Sequence, residues 1–314
     1  MSNIAVSIVC NVYNQERYLR DTLEGFVMQK TDFPVEVLVH DDASTDGSAA
    51  IIREYAERYP ELIKPLIQEE NQYSKGAGRI FAIQKARVTG KYVAFCEGDD
   101  YWTDPLKLQK QFDYLEANPD CSLCATSGDW LNMKTGLVEP HGKVSADRDF
   151  TAEELIVGRE RPFMTVAVMV PAEVWLTLPT YRFPIGDYPL TIYAATRGRV
   201  HMLADNCCVY RWYAAGSWTT RMDDTGKRIE ISEKMIAALE RFNESTEGRY
   251  EEAVRTRIRS HRYTAALLAG DWQAIRSEEL YPLYKSRSLK ERFSDRLRCK
   301  CPRLFEKIRK LIRK

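Results

Sequence analysis

The sequence predicts an α/β fold with a mostly parallel central sheet, followed by a helical C-terminal region. Over roughly the first 120 residues, short β-branched runs alternate with helical patterns, which is typical of βαβ units. Beyond Thr219, the apolar residues recur only at helical spacing, at Ile229, Ile231, Met235, Ile236, Leu239 and Phe242. A chain of 314 residues is long enough for one large α/β domain with an appendage, or for two modest domains.

Each element follows from this alternation. The predicted strands of the first half are residues 4–10, 35–39, 62–67 and 92–96, and the predicted helices are residues 16–28, 46–58, 78–88 and 106–117. From about Cys121 the pattern changes to strands, such as 122–126 and 164–170. The polar stretch 141–148 between them is predicted to be a mobile loop suited to ligand recognition.

The composition is that of a soluble enzyme. Hydrophobic residues make up 44% of the chain and charged residues 29%, so neither a disordered nor a membrane-spanning class is favoured. No run of about 18 apolar residues occurs, and the N-terminus lacks the basic region of a signal peptide, which together predict a cytoplasmic location. The eight cysteines are irregularly spaced, and Cys10 and Cys96 lie within strand patterns, so we expect reduced thiols.

The charge is unevenly distributed. The chain has a net charge of +1, but residues 286–314 contain 12 Lys/Arg against 3 Asp/Glu. Apolar residues recur among these charges at helical spacing, at Leu297, Leu304, Phe305, Ile308, Leu311 and Ile312. Such a tail suits contact with an anionic membrane surface, or it is a helix whose apolar stripe packs on the body of the protein.

Polar residues follow three of the predicted strands, at the sheet edge where open parallel sheets bind ligands. They are 11–14 (NVYN), 40–47 (HDDASTDG) and 97–102 (EGDDYW). Carboxylates gathered on adjacent strand ends repel one another unless a cation compensates them. Oxygen ligands suit Mg²⁺ or Mn²⁺, which commonly bridge a carboxylate to substrate phosphates. No Walker-type loop and no Gly-x-Gly-x-x-Gly after the first strand is present, so the metal would serve in their place.

The segments 6–14 (VSIVCNVYN), 39–47 (VHDDASTDG) and 90–102 (GKYVAFCEGDDYW), in this order and spacing, strongly resemble family 2 glycosyltransferases of the GT-A fold. The resemblance covers roughly residues 4–218, is clearest up to Leu115, and does not reach the C-terminal helices. It implies a nucleotide-sugar-binding half over 1–120 and an acceptor-binding half over 121–218. The remainder, 219–314, is then a helical region with a basic amphipathic tail.

The resemblance also implies roles for residues around the donor. Tyr13 would border or stack on the nucleotide base, and Asp42 would hydrogen-bond the base or ribose. Asn11 and Arg79 would lie near the nucleotide, and Asp99 would contact the ribose or donor sugar. Asp100 would hold the Mn²⁺ or Mg²⁺ ion that bridges the diphosphate.

Two further segments resemble the acceptor side of the family. In 183–190 (FPIGDYPL), Asp187 would be the general base that takes the acceptor proton during attack, which implies inversion at the anomeric carbon. The segment 209–218 (VYRWYAAGSW) resembles the closing segment, and Arg211, Trp218 and the earlier Trp102 are candidate acceptor or loop contacts. Two departures from the family are Tyr213, near a position where many relatives have histidine, and Glu97, where they often have aspartate.

The implied activity is transfer of a sugar from a nucleotide-diphosphate donor, a UDP-sugar, to a saccharide or lipid-linked acceptor in cell-surface polysaccharide or lipopolysaccharide biosynthesis. No nucleic-acid partner is expected. A non-catalytic nucleotide-sugar- or partner-binding relative is an alternative. A sugar-1-phosphate nucleotidyltransferase is another, but the Gly-rich basic loop of that class is missing after the first strand.

Each motif also has an interpretation without chemistry. Segment 41–47 suits a polar turn, 97–100 a solvated loop, and Asp187 a helix cap. Cys121 and Cys124 have the spacing of half a zinc site but are more simply core thiols. Four tryptophans are candidates either for a sugar-stacking surface or for the core: Trp102, Trp130, Trp212 and Trp218.

Overall fold

The computed structural model describes residues 4–76, 78–141, 145–158, 162–184, 186–215 and 224–305. They form two compact units. The first lies within 1–155, 159–179 and 187–217, and the second within 156–158, 180–186 and 218–314. The α/β class and the helical C-terminal region are confirmed, whereas the predicted division at residue 120 stays a prediction.

The strands of the described residues form one mixed sheet in the first unit. Its order is β3-β2-β1-β4-β9-β6-β10-β5, with β7 beside β6 and β8 beside β10. Four consecutive strands, β3 to β4 in that order, are mutually parallel, and β10 is parallel to β6. The bounds are β1 Val6–Val12, β2 Val35–Asp41, β3 Ile63–Ile67, β4 Tyr92–Phe95, β5 Tyr101–Trp102, β6 Cys121–Asn132, β7 Val138–His141, β8 Arg148–Phe150, β9 Val168–Pro171 and β10 Arg199–Trp212.

Helices flank this sheet and build the second unit. In the part of the chain that the structure describes, they are α1 Glu16–Val27, α2 Ser48–Arg58, α3 Arg79–Lys85, α4 Lys107–Ala117, α5 Ala152–Val157, α6 Ala172–Leu176, α7 Asp187–Arg197, α8 Thr225–Ser245, α9 Glu251–Ala269, α10 Trp272–Ile275, α11 Tyr281–Ser286 and α12 Leu289–Lys300. Short 3₁₀ turns occur at Tyr73–Lys75 and Thr165–Ala167.

The first unit is organised around β1. Its apolar residues Val6, Ile8 and Cys10 are fully buried because neighbouring strands and covering helices exclude water from both faces. α1 contributes Leu19, Leu23 and Phe26 to the same core, at the spacing of one helical face. This core fixes the ends of the parallel strands.

Two sequence expectations need correction. The strand predicted over 164–170 begins with a 3₁₀ turn, and only Val168–Pro171 forms a strand, antiparallel to both β4 and β6. The predicted loop 141–148 begins and ends within short strands, because His141 closes β7 and Arg148 opens β8. Residues 142–144 between them lie outside the described residues. Strands of three or four residues leave too little periodicity to predict.

The helices of the second unit bury a stripe of apolar residues. α8 contributes Met235, Leu239 and Phe242, all fully buried, which confirms their helical periodicity. A second cluster joins Tyr263 on α9, Ile275 on α10 and Leu280 before α11. Among the helices that the structure describes, none is long and apolar enough to cross a bilayer.

The cysteines are free thiols. Six are buried, namely Cys10, Cys96, Cys121, Cys124, Cys207 and Cys208; Cys299 is half-buried and Cys301 is exposed. Burial raises the pKa of all six buried thiols above the ordinary cysteine value. Cys121 and Cys124 are core residues, as the simpler interpretation of their spacing predicts.

Candidate functional site

The polar ends of β1 and β4 meet at the carboxyl edge of the sheet. The side-chain amide of Asn11 lies 3.4 Å from Oε1 of Glu97, and the backbone N–H of Gly98 donates to the carbonyl of Asn11 across 3.0 Å. Gln84 of α3 is buried and donates to Oδ1 of Asn11 across 3.1 Å. The structure therefore brings the first and third motifs together.

Gly98 lies where these segments approach closely. A Cβ atom at this position would lie 2.4 Å from Oε1 of Gln15 and 2.9 Å from a methyl carbon of Val12. Both distances are shorter than van der Waals contact, so a side chain at this position would require Gln15 and Val12 to move. The glycine lets the carboxylates on either side of it lie against the end of that strand.

Asp100 is fixed by the far end of β10. Its carboxylate Oδ1 accepts the backbone N–H of Arg211 across 2.8 Å, and the side chain is almost fully buried. The guanidinium of Arg211 donates to the carbonyl of Asp99 across 2.9 Å and forms an ion pair with Asp21 on α1. Arg211 was expected to contact a loop or the acceptor. In the structure it holds the acidic loop in place through its bonds to Asp99 and Asp100.

Three neighbouring carboxyl groups in this loop have raised pKa values. Burial, followed by the charge of Asp99, raises the pKa of Glu97 to about 7. Burial raises the pKa of Asp99 against the opposing charge of Arg211. Burial and then the charge of Asp99 raise the pKa of Asp100 well above its usual range. Ionisation of all three carboxyl groups is therefore unfavourable without a bound cation, and a cation at this loop would stabilise the ionised form.

Asp42 organises the segment that follows β3. One carboxylate oxygen accepts the backbone N–H of Gln72 across 2.6 Å, and the other accepts that of Tyr73 across 3.1 Å. Arg79, at the start of α3, donates to the side chain of Gln72 across 3.3 Å. Asp42 and Arg79 are therefore joined through one residue. The contact of Asp42 with a base or ribose stays a prediction.

The neighbouring Asp41 has one carboxylate oxygen whose hydrogen-bonding capacity is not satisfied within the described part of the chain. Its side chain is almost fully buried, and Oδ2 accepts the backbone N–H of Ser44 across 3.1 Å. Oδ1 is buried and has no hydrogen-bond partner among the described residues. A buried carboxylate oxygen without a donor is costly, and a ligand N–H or O–H would satisfy it.

Tyr13 and Arg79 offer accessible side chains at this edge. Tyr13 directly follows β1 and is 50% exposed. Arg79 is also exposed. Their accessibility is what the predicted contacts with a base and a nucleotide require, and those contacts remain predictions.

Trp102 is a core residue, which corrects its assignment as a candidate acceptor contact. Its ring is 2% exposed and packs edge-on against Phe26 at a centroid distance of 5.0 Å. Its indole N–H donates to the carbonyl of Val166 across 2.9 Å, and the ammonium of Lys107 lies 4.3 Å from the ring centroid. The ring and the N–H of Trp102 are thus occupied by contacts within the protein. These contacts fix β5, the strand that immediately follows Asp100 in the chain.

Other tryptophans differ in exposure. Trp130 stacks on His141 at 4.2 Å and lies 5.4 Å from Trp212, and both tryptophans are only partly buried. A sugar-stacking role for these two stays open. Trp218 lies outside the described residues.

Asp187 is the first residue of α7, in the same compact unit as the acidic loop. It is partly exposed, and its Oδ1 accepts the backbone N–H of Tyr188 across 2.8 Å. A carboxylate that opens a helix is stabilised by the positive end of the helix dipole. The position suits both the predicted base and a helix cap.

Sequence reasoning missed the contribution of α1. Thr22 donates its hydroxyl to the carbonyl of Asp100 across 2.6 Å, and Tyr18 accepts the N–H of Ala215 across 3.2 Å. With Asp21, these residues form one polar patch in an otherwise apolar face of the helix. Their i, i+3 and i+4 spacing was the available signal.

The residues present fit a hard divalent cation only in part. Carboxylate oxygens of the acidic loop are suitable donors for Mn²⁺ or Mg²⁺. However, within the described ranges no group of three or more His, Cys, Asp or Glu is arranged to hold a metal. The site therefore fits an ion that takes one or two protein carboxylates and completes its coordination with substrate phosphates and water.

The sequence matches the family model described as glycosyl transferase family 2 over residues 7–141. A functionally uncharacterised protein of Mycobacterium tuberculosis is 36% identical over 249 residues, covering 78% of this chain and 70% of the relative. The chain belongs to the family 2 glycosyltransferases. The putative teichuronic acid biosynthesis glycosyltransferase TuaG of Bacillus subtilis is 36% identical over 112 residues, which cover 35% of this chain and 41% of TuaG.

Solved structures confirm the GT-A fold. Staphylococcus aureus TarS, in complex with UDP-GlcNAc, superposes with a TM-score of 0.60 at 16% identity, covering 94% of this chain and 79% of TarS. The mannosyltransferase PcManGT of Pyrobaculum calidifontis, in complex with GDP-Man and Mn²⁺, gives a TM-score of 0.56 at 16% identity, covering 90% and 79%. At these identities the likeness concerns the fold.

Proposed function

We propose that this glycosyltransferase moves a sugar from a UDP-sugar to a hydroxyl of a saccharide or lipid-linked acceptor, in the assembly of a cell-surface polysaccharide or lipopolysaccharide. The family assignment supports glycosyl transfer, and the name of TuaG supports the surface-polysaccharide setting. TarS binds UDP-GlcNAc and PcManGT binds GDP-Man, so the nucleotide differs between proteins of this fold. Membership in the family argues against the nucleotidyltransferase alternative.

The observation that carries the proposal is the acidic loop at the end of β4, in which Asp100 is buried and Glu97 and Asp99 are partly buried. Three carboxyl groups with raised pKa values share one loop, and their ionisation is unfavourable until positive charge arrives. A Mn²⁺ or Mg²⁺ ion held by Asp100 would supply that charge and would neutralise the departing diphosphate when bound. Arg211 keeps the Asp100 carboxylate in one orientation before the donor binds.

The donor nucleotide is assigned to the ends of β1 and β2. Tyr13 offers an accessible ring for the base, while Asn11 is held in place by Gln84. Asp41, next to Asp42 in the chain, has a buried carboxylate oxygen without a hydrogen-bond donor among the described residues. An N–H or O–H of the ligand at this point would remove the energetic cost of that unsatisfied acceptor. Arg79, whose guanidinium donates to the side chain of Gln72, is assigned to the nucleotide as well.

Asp187 is assigned as the general base on the acceptor side. A carboxylate is too weak to remove an alcohol proton in advance, so proton transfer accompanies attack on the anomeric carbon. A base opposite the leaving group gives inversion. If Asp187 serves only as a helix cap, accepting the backbone N–H of Tyr188, this chain would bind nucleotide sugars without transferring them, which is the alternative function.

A lipid-linked acceptor would require the enzyme to work at a membrane surface. Residues 286–314, with their excess of Lys and Arg, are the segment proposed to make this peripheral contact.

Calorimetry with a panel of nucleotide sugars, with and without Mn²⁺, tests the donor site. We expect one UDP-sugar to bind tightly only when metal is present. In Asp100→Ala, the metal should no longer increase the affinity for that donor. Asp113→Ala, which removes an exposed carboxylate on α4, is the matched control and should bind as the wild type does. Full affinity of the wild type for the nucleotide without metal would rule out the metal assignment.

A further inference from the structure

Helix α12 turns charged and polar side chains toward its own unit. Asp295 is 5% exposed, accepts the hydroxyl of Tyr263 across 2.6 Å, and lies 2.7 Å from Nε of Arg287. Cys299, one turn later, packs against the apolar cluster of α9 and α10. Because a buried carboxylate needs these partners, the helix is fixed in one rotation about its axis.

The opposite side of α12 exposes large apolar residues. Leu289 is 78% exposed and Phe293 is 68% exposed, and they lie one turn apart. A surface helix ordinarily buries such residues and exposes its charges. α12 does the reverse, because the Asp295 ion pair occupies the side that packs.

The charges around these apolar residues share one sign. With 3.6 residues per turn, Leu289, Phe293 and Leu297 fall within an arc of about 80°. Three exposed basic residues lie within or beside that arc: Lys290, Arg296 and Lys300. The acidic residues of the helix, Glu291 and Asp295, fall on the other side. We call the outward set the lipid face: Leu289, Lys290, Phe293, Arg296, Leu297 and Lys300.

We propose that the lipid face binds an anionic bilayer surface, with the helix lying parallel to the bilayer and Leu289 and Phe293 inserted at the headgroup level. Basic residues that flank a short apolar stripe complement the negative potential of such a surface. A second copy of the chain fits less well, because a two-fold contact would place six basic residues against one another. The sequence after the lipid face adds six further Lys or Arg residues within 301–314.

This inference deepens the membrane contact of the proposed function, but its test requires no turnover. The full-length protein is sedimented with vesicles of equimolar phosphatidylglycerol and phosphatidylcholine, and with vesicles of phosphatidylcholine alone. We expect binding to the anionic vesicles, weakened by high salt because the attraction is partly screened. Transfer of sugar to a water-soluble acceptor, measured separately, reports on the proposed function.

Two double variants separate the apolar and electrostatic contributions. Leu289→Ser with Phe293→Ser should weaken vesicle binding at least about tenfold, since each side chain loses its buried apolar surface. Lys290→Gln with Lys300→Gln should weaken it by about fivefold per lysine. The matched controls are Leu137→Ser with Val138→Ser, which are 61% and 59% exposed, and Lys30→Gln with Lys234→Gln. Both should bind as the wild type does.

Three results would overturn the inference. The first is equal binding to neutral and anionic vesicles, or none. The second is wild-type binding by both lipid-face variants, with circular dichroism and urea midpoints confirming that they fold. The third is a lipid-free dimer, seen by sedimentation velocity, that Leu289→Ser with Phe293→Ser dissociates, because a second copy would then occupy this face.

Discussion

The backbone N–H of Arg211 donates to the carboxylate of Asp100, although 111 positions separate the two residues in the chain. The side chain of Arg211 extends the same link, because it binds the carbonyl of Asp99 and the carboxylate of Asp21. The end of β10 and the start of the chain thus hold the acidic loop between them. The geometry of the proposed metal ligand depends on contacts that no local motif contains.

Replacing Arg211 by alanine should disturb both stability and donor binding. The change leaves the Asp99 carbonyl without its donor and Asp21 without its partner, so we expect the free energy of unfolding to fall by about 1–3 kcal/mol. Metal-dependent donor affinity, measured by calorimetry, should fall as well. Arg20→Ala is the control, because its ion pair with Glu54 is exposed and contributes little. Equal stability of the two variants would contradict the role given to Arg211.

Asp187→Asn tests the proposed base. We expect kcat to fall by about 10²–10⁴ with little change in donor affinity, because an amide cannot accept the acceptor proton. Kinetics with a genuine acceptor, together with donor calorimetry, measure the two effects. Glu173→Gln, an exposed change on α6, should leave kcat unchanged. A wild-type kcat in Asp187→Asn would show that Asp187 only opens its helix.

The raised pKa of Glu97 predicts how the stability of the metal-free protein depends on pH. Its pKa is raised from 4.5 to about 7, so between these values the unfolded chain loses a proton that the folded chain keeps. The contribution of Glu97 to the free energy of unfolding should therefore fall as pH rises from 4.5 to 7 and then level off.

Glu97→Gln should make the decline in the overall free energy of unfolding smaller, because only Asp99 and Asp100 in this loop then have raised pKa values, and it should gain about 1–3 kcal/mol at neutral pH, from roughly 1.4 kcal/mol per pKa unit reduced by partial exposure. Urea unfolding in chelator at several pH values measures it. The exposed Glu57→Gln on α2 is the control. The prediction fails if Glu97→Gln follows the wild-type pH profile.

Trp102→Phe distinguishes a core residue from an acceptor contact. Loss of the indole N–H leaves the buried carbonyl of Val166 without its donor, so we expect a destabilisation of about 1–3 kcal/mol. The KM for the acceptor should not change. Trp212→Phe, at a partly exposed position, is the comparison. A raised acceptor KM in Trp102→Phe without loss of stability would restore the acceptor role.

The parts of the fold predicted from sequence are those with a clear period. α1 begins at Glu16 as expected, and β2, α2 and α4 agree with their predicted segments to within a few residues. β5, β7 and β8 were not predicted, because two to four residues carry no period and their pairing partners are distant in the chain. Antiparallel pairing of β9 was missed for the same reason.

The candidate site divides in a similar way. The acidic residues were found because three polar strand ends must share one edge of a parallel sheet. Burial separated the residues that composition could not: Trp102 and Tyr13 are both aromatics beside a motif, yet one is 2% exposed and the other 50%. The roles of Thr22 and Gln84 depend on tertiary contacts to backbone carbonyls. The spacing of Thr22 on α1 indicates a polar patch, but the sequence does not show what that patch contacts.

The distribution of thiols makes the wild-type chain ready for site-specific labelling. Six cysteines are inaccessible and Cys299 is half-covered, so a maleimide dye should react first at the exposed Cys301, directly after α12. An environment-sensitive fluorophore at that position would report contact of the neighbouring helix with vesicles as a blue shift. The measurement needs neither a cysteine-free background nor an engineered attachment point.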